Sequence, residues 1–96
     1  MEKILTSKKS KEEMIQWLWF ELEMACEEAG ETEYHDKYGL HELYKNRMHS
    51  YELLFYSLDI INISNHDEYV EFQEHMRAMR NRGREKGRKK MVQNDE

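Results

Sequence analysis

The chain has 96 residues, a net charge of −5, 39% hydrophobic and 36% charged residues, no proline and one cysteine. It is one small domain, too short for a TIM barrel or a full dinucleotide-binding fold. A lone Cys26 excludes an internal disulfide framework and a multi-cysteine zinc site.

The charge is segregated. Residues 1–11 carry +3, residues 12–74 carry −13 and residues 75–96 carry +5. Like-charge blocks mark contact surfaces or tails. The longest wholly apolar runs, Trp17–Phe20 and Leu53–Tyr56, fall far short of the roughly 20 residues that cross a bilayer. Met1-Glu2-Lys3-Ile4-Leu5 lacks the apolar core of a signal peptide. A soluble, cytoplasmic protein is expected, and no cofactor motif is present.

Residues 1–9 form a short basic segment. Ser10-Lys11-Glu12-Glu13 then reads as a capping box. The spacing predicts a helix from Lys11 to Ala29, stopping at Gly30. Met14, Ile15, Leu18, Trp19, Leu22, Ala25, Cys26 and Ala29 make its main apolar stripe, within about 140° of circumference. Trp17, Phe20 and Met24 point the opposite way. They either pack under the 30–39 loop or the N-terminal segment, or form an exposed aromatic patch suited to a partner or a second copy of the chain.

Residues 30–39 read as a polar loop in which Tyr34 and Tyr38 are contact candidates. A second helix is expected from Leu40 to Ile63. Its stripe is Leu40, Tyr44, Arg47, Tyr51, Leu54, Leu58 and Ile61, broadened by Leu43, Met48 and Phe55. Its last turn is rich in β-branched residues, which weakens it. Asn65 with Glu68 three residues on reads as the next N-cap. Tyr69, Phe72, Met76 and Met79 continue as a third helix. The apolar periodicity stops at Met79, and Gly83 and Gly87 interrupt the residues beyond it. The helix is therefore expected to fray into a basic, flexible tail over residues 81–96.

Chemistry-bearing residues are few. His35, His41, His49, His66 and His75 show no i, i+4 pairing, and no second His completes a zinc-protease motif after His41-Glu42. No native metal site is expected. Glu71 and His75 form an i, i+4 surface pair. Cys26 falls on the apolar stripe and reads as a core thiol.

Two charged clusters carry more. Glu21, Glu23, Glu27, Glu28 and Glu31 flank the first helix, and Glu52 precedes Leu53-Leu54-Phe55-Tyr56. The arrangement resembles MazG-like nucleoside-triphosphate pyrophosphohydrolases, all-α proteins. Paired Glu on one helix and Glu-x-x-Asp before an apolar helix hold Mg²⁺ there. The resemblance implies a hard-cation site built from carboxylates. Where that family has Glu-x-x-Asp, this chain has His49-Ser50-Tyr51-Glu52, so His49 stands at a ligand position. Glu27-Glu28-x-x-Glu31 also spans the expected helix stop.

The second cluster is Arg77, Arg80, Arg82, Arg84, Lys86, Arg88, Lys89 and Lys90. Such a segment gains nucleic-acid affinity by releasing counterions from phosphates, binds an acidic protein surface, or docks within the chain against the acidic body. No helix-turn-helix, zinc-finger or RNP signature accompanies it.

Together these features predict an all-α fold: a three-helix antiparallel bundle of a hairpin plus a third helix over residues 10–80, with a basic tail. Two apolar faces on the first helix favour a homodimer. The expected function is non-catalytic binding to another protein. The acidic body would occupy a basic, nucleic-acid-binding surface, in the general style of small inhibitors and regulators from phages and mobile elements. The alternatives are a nucleic-acid-binding regulator using the basic segment and a Mg²⁺-dependent pyrophosphohydrolase.

Overall fold

A computed structural model describes residues 10–94 of the chain, with the side chains of Lys11 to Val92. The basic segment 1–9 and the Ser10 side chain of the capping box lie outside the described residues. Three helices occur in order: α1, Ser10–Glu31; α2, His41–Ser57; and α3, His66–Asn94. No strand occurs among the described residues.

α1 and α2 form the expected antiparallel hairpin, since Tyr51 reaches Glu21 while Arg47 reaches Glu28. α3 returns beside α1 and parallel to it, with Gly83 against Glu27 and Gly87 against Glu31. α1 is thus the helix both others pack on.

The core lies between the three helices. Leu18, Leu22, Ala25, Cys26 and Ala29 of α1 are buried, with Met48 and Phe55 of α2, Ile61, and Phe72 and Met76 of α3. Trp19 sets its edge against Phe55 at 4.7 Å and Phe72 at 5.8 Å, and Phe55 stacks on Phe72 at 5.3 Å. Ring pairs at these separations add to the area they bury. The α2 core face is shifted from the expected stripe. Met48 and Phe55 carry it, whereas Leu54, Leu58 and Arg47 point outward.

Local chemistry explains the helix ends. Both Asp36 carboxylate oxygens accept hydrogen bonds at the start of α2, from Leu40 N at 2.7 Å and His41 N at 3.2 Å. This loop residue caps α2 in place of Leu40. Gly39 precedes it at φ 68°, a left-handed turn that suits glycine.

α2 ends at Ser57, six residues before the expected Ile63. Asp59 takes φ 56°, its N–H bonds Tyr56 O, and Ile60 N–H bonds Phe55 O. That is a Schellman ending, with Ile60 returned to the core. Asn65 caps α3 as expected, its Oδ1 accepting from Glu68 N at 3.2 Å.

α3 does not fray at Met79. It continues to Asn94, 29 residues in all, or about 43 Å. The expected boundary between domain and tail therefore falls inside a continuous helix. Gly30 is likewise not a stop, since α1 runs through it to Glu31.

All three glycines serve a backbone contact instead. A Cβ at Gly83 would lie 1.9 Å from Glu27 O, at Gly30 2.0 Å from Arg80 O, and at Gly87 2.3 Å from Glu31 O. Side chains normally hold helix axes about 8–10 Å apart. Glycine at these three positions permits the backbone of the facing helix to come this close, which also suits Cα–H···O contacts.

Gly83→Ala tests this contact. Helix propensity alone favours alanine by about 1 kcal/mol. The clash with backbone outweighs it, and a net loss of about 1–3 kcal/mol is expected. In thermal melts that is a fall of roughly 4–8 °C per kcal/mol. An unchanged or higher melting temperature would contradict the packing described.

Candidate interaction faces

α1 carries two apolar faces, and the fold covers one. Trp17, Phe20 and Met24 on the other are 53%, 57% and 40% exposed. Among the described residues Trp17 has one ring neighbour, Tyr51, edge-on at 6.5 Å. Glu13, one turn before Trp17, is exposed as well.

The two loop tyrosines differ. Tyr38 is largely exposed. Tyr34 is engaged by α3, with the Arg88 guanidinium 4.7 Å over its ring and Arg88 Nη2 donating to its hydroxyl at 3.3 Å.

Each of the five acidic residues singled out on α1 has a partner within the chain. Glu21 accepts the Tyr51 hydroxyl at 3.4 Å. Glu23 lies 2.7 Å from His75 Nε2. Glu27 pairs with Lys86 and lies 3.8 Å from Arg82. Glu28 lies 3.9 Å from Arg47, and Glu31 pairs with Lys90. His75 therefore turns to Glu23 and not to Glu71, because its helix face meets α1.

The basic cluster is divided by the helix that carries it. Arg82, Lys86 and Lys90 lean on α1. Arg80 and Arg84 donate from Nε to Glu33 at 2.7 and 2.9 Å. Arg77 and Lys89 are exposed and have no ion-pair partner among the described residues. Glu33, which joins α3 to the loop, does not stand out in the sequence. Only the return of α3 past Met79 brings it into play.

Burial pushes the Glu33 carboxyl up, but hydrogen bonds from Arg84 and Arg80 outweigh it and the net shift is down. Glu52 behaves in the same way. Burial raises it, while hydrogen bonds from Tyr56, Gln73 and His49 hold it below the ordinary glutamate value. Glu28 moves the other way, raised by burial against the opposing charge of Arg47.

The Mg²⁺ arrangement implied by the pyrophosphohydrolase resemblance needs the α1 carboxylates and Glu52 to converge. Instead Glu27 and Glu31 turn to α3, and Glu52 turns to Tyr56 and Gln73 at 2.7 Å each. No three His, Cys, Asp or Glu side chains come together around an ion position among the described residues. Burial pushes the Cys26 thiol up to about 12, with Arg80 opposing. No helix is long and apolar enough to cross a membrane among the described residues. No protein-family model, curated protein or solved structure matches the chain.

These environments predict two measurable behaviours. Glu33 and Glu52 have folded values below their unfolded ones. Their contribution is full above the ordinary glutamate value of 4.5 and is lost as pH falls through the folded values. Glu28, raised on folding, opposes this, since its contribution is lost as pH rises through its folded value. Melting temperature should fall on acidification below about pH 4.5, and Glu33→Gln should flatten that fall while costing about 1 kcal/mol at neutral pH. A variant as acid-sensitive as the wild type would contradict this. Separately, Cys26 should resist iodoacetamide at pH 8 in the native state and react readily in urea.

Proposed function

We propose that the chain is a non-catalytic helical binding protein that docks on another protein through the outer face of α1. The observation that carries this reading is the exposed trio Trp17, Phe20 and Met24, spaced three and four apart on a helix whose other face is packed from Leu18 to Ala29. Clustered aromatics on a rigid element are typical anchors of protein interfaces.

The chemistry of the face favours one kind of partner. Glu13, Glu21 and Glu28 surround the trio, so the complementary surface has an apolar centre and a Lys/Arg rim. A basic groove that otherwise takes nucleic acid has that character, and covering it would make the protein an inhibitor or regulator. A second copy is less well matched. Antiparallel pairing of two α1 helices about Phe20–Glu21 sets Glu13 against Glu28 of the other copy, a like-charge approach that Arg47, 3.9 Å from Glu28, offsets only in part. Glu27 and Glu31 contribute little free charge, since α3 already holds them. The unpaired Cys26 thiol fits a cytoplasmic setting.

The double variant Trp17→Ser, Phe20→Ser tests the reading. Both residues are exposed, so stability should change little, by about 0.5 kcal/mol per site. Partner binding should weaken by about a hundredfold or more. Affinity capture with and without nuclease would be run on the wild type, this variant and Glu85→Gln as a control. The reading fails if the captured protein is retained equally by all three. Sedimentation separates the alternative, because a dimer that the double variant reduces to the 11.8 kDa species would assign the face to self-association.

A further inference from the structure

We propose that the cleft between α2 and α3 binds a phosphate group. The cleft has a volume of about 240 Å³. Arg77, Arg80 and Arg84 line it from α3, and His49 lines it from α2. Spacings of three and four residues put the three arginines on one stripe, spread over about 10 Å of helix. Met48 and Met76 form its apolar floor. Charge interactions are stronger over such a floor than in open water.

The arginines are not equivalent. Glu33 fixes Arg80 and Arg84 through their Nε atoms. Arg77 is exposed, with no ion-pair partner among the described residues. Glu52 lines the cleft as well, and Glu33 reaches two of its arginines. Glu33 is shared between its two arginines. Glu52 lies at the other end, where His49, Tyr56 and Gln73 already supply its donors.

Three guanidiniums against two engaged carboxylates leave a positive site on a chain whose net charge is −5. Guanidinium groups recognise phosphate by paired N–H donors, a geometry lysine does not offer. The rest of the basic segment is directed elsewhere: Arg82, Lys86 and Lys90 to α1, and Arg88 to Tyr34 and Glu85. The site is therefore separate from the outer face of α1. A free phosphate and a nucleic-acid backbone both supply the group.

The full chain is titrated with inorganic phosphate and, separately, with a short single-stranded oligonucleotide at fixed ionic strength. Binding is monitored by backbone amide NMR shifts. Shifts centred on His49, Gln73 and residues 77–84 are expected with at least one probe, and the tighter probe identifies the source. Arg77→Gln should weaken that binding about tenfold, with an unchanged melting temperature as the fold control. Lys89→Gln, on the far side of α3, should change it by less than about twofold. Equal losses in the two variants, shifts spread evenly along α3, or no response to either probe would overturn the proposal.

Discussion

The structure depends on the place where the backbones of α1 and α3 touch. Past Met79 the third helix has no buried apolar side chain to offer α1, and its composition is that of a solvated tail. Gly83 and Gly87 meet Glu27 and Glu31, and Gly30 meets Arg80. With no side chain between them, the helices approach closely enough for the polar residues at their flanks to reach across. Glu27 and Glu31 then find Lys86 and Lys90 on one flank, and Glu33 finds Arg80 and Arg84 on the other. Individual exposed ion pairs contribute little, about 0–1 kcal/mol each. They align and select the register, while the glycine contact makes that register sterically available. Without it the aromatic core would still gather Trp19, Phe55 and Phe72, but nothing would hold the last four turns of α3.

This contact also changes the meaning of the charge pattern. An acidic stretch of −13 with a basic one of +5 after it suits either surfaces for external partners or docking of one stretch on the other. The fold sets part of one against part of the other. The charge that stays unpaired is narrower and more specific than the blocks themselves. Arg77 stands at the mouth of the α2–α3 cleft, and Glu13 stands at the edge of the aromatic face. Glu23, Glu27, Glu31 and Glu33 are an intramolecular complement to α3 before they are a surface for anything else, and that is why the aromatic trio, not the acidic cluster, centres the proposed binding face.

Much of the architecture is readable in the sequence, because caps and apolar periodicity act locally. The α1 stripe is recovered almost residue for residue, with Leu18, Leu22, Ala25, Cys26 and Ala29 all buried. Asn65 caps α3 where expected. The misses share a cause, since each is decided by an interaction over distance or by an unusual backbone state. Asp59 adopts a left-handed conformation commonly left to glycine, so the end of α2 carries no obvious stop. The α2 core falls on Phe55, which meets both Trp19 and Phe72, and on Met48 two turns before it on the same face, and not on Leu54 and Leu58. The long run of α3 is invisible to hydropathy. Its signal is the i, i+4 pair Gly83 and Gly87, which reads as helix breaking until a third glycine, Gly30, is set opposite. The candidate site is legible as a set of residues, including Trp17, Phe20 and Met24. Which acidic and basic residues are already engaged is not, because pairing depends on the α1–α3 register.

The outer face of α1 owes its exposure to the same geometry. A helix with two apolar faces needs cover on both sides. α2 and α3 both pack toward one side, drawn there by Trp19, Leu22 and Cys26 and, farther along, by Gly30. The segments that link the helices are taken up at the ends of the bundle. Residues 32–40 cap α2 through Asp36 and receive Arg80 and Arg84 through Glu33. Residues 58–65 close α2 and return Ile60 and Ile61 to the core. Neither segment is placed to lie over Trp17, Phe20 and Met24, and no described helix is left to do so. Burial of that trio therefore requires a surface from outside residues 10–94.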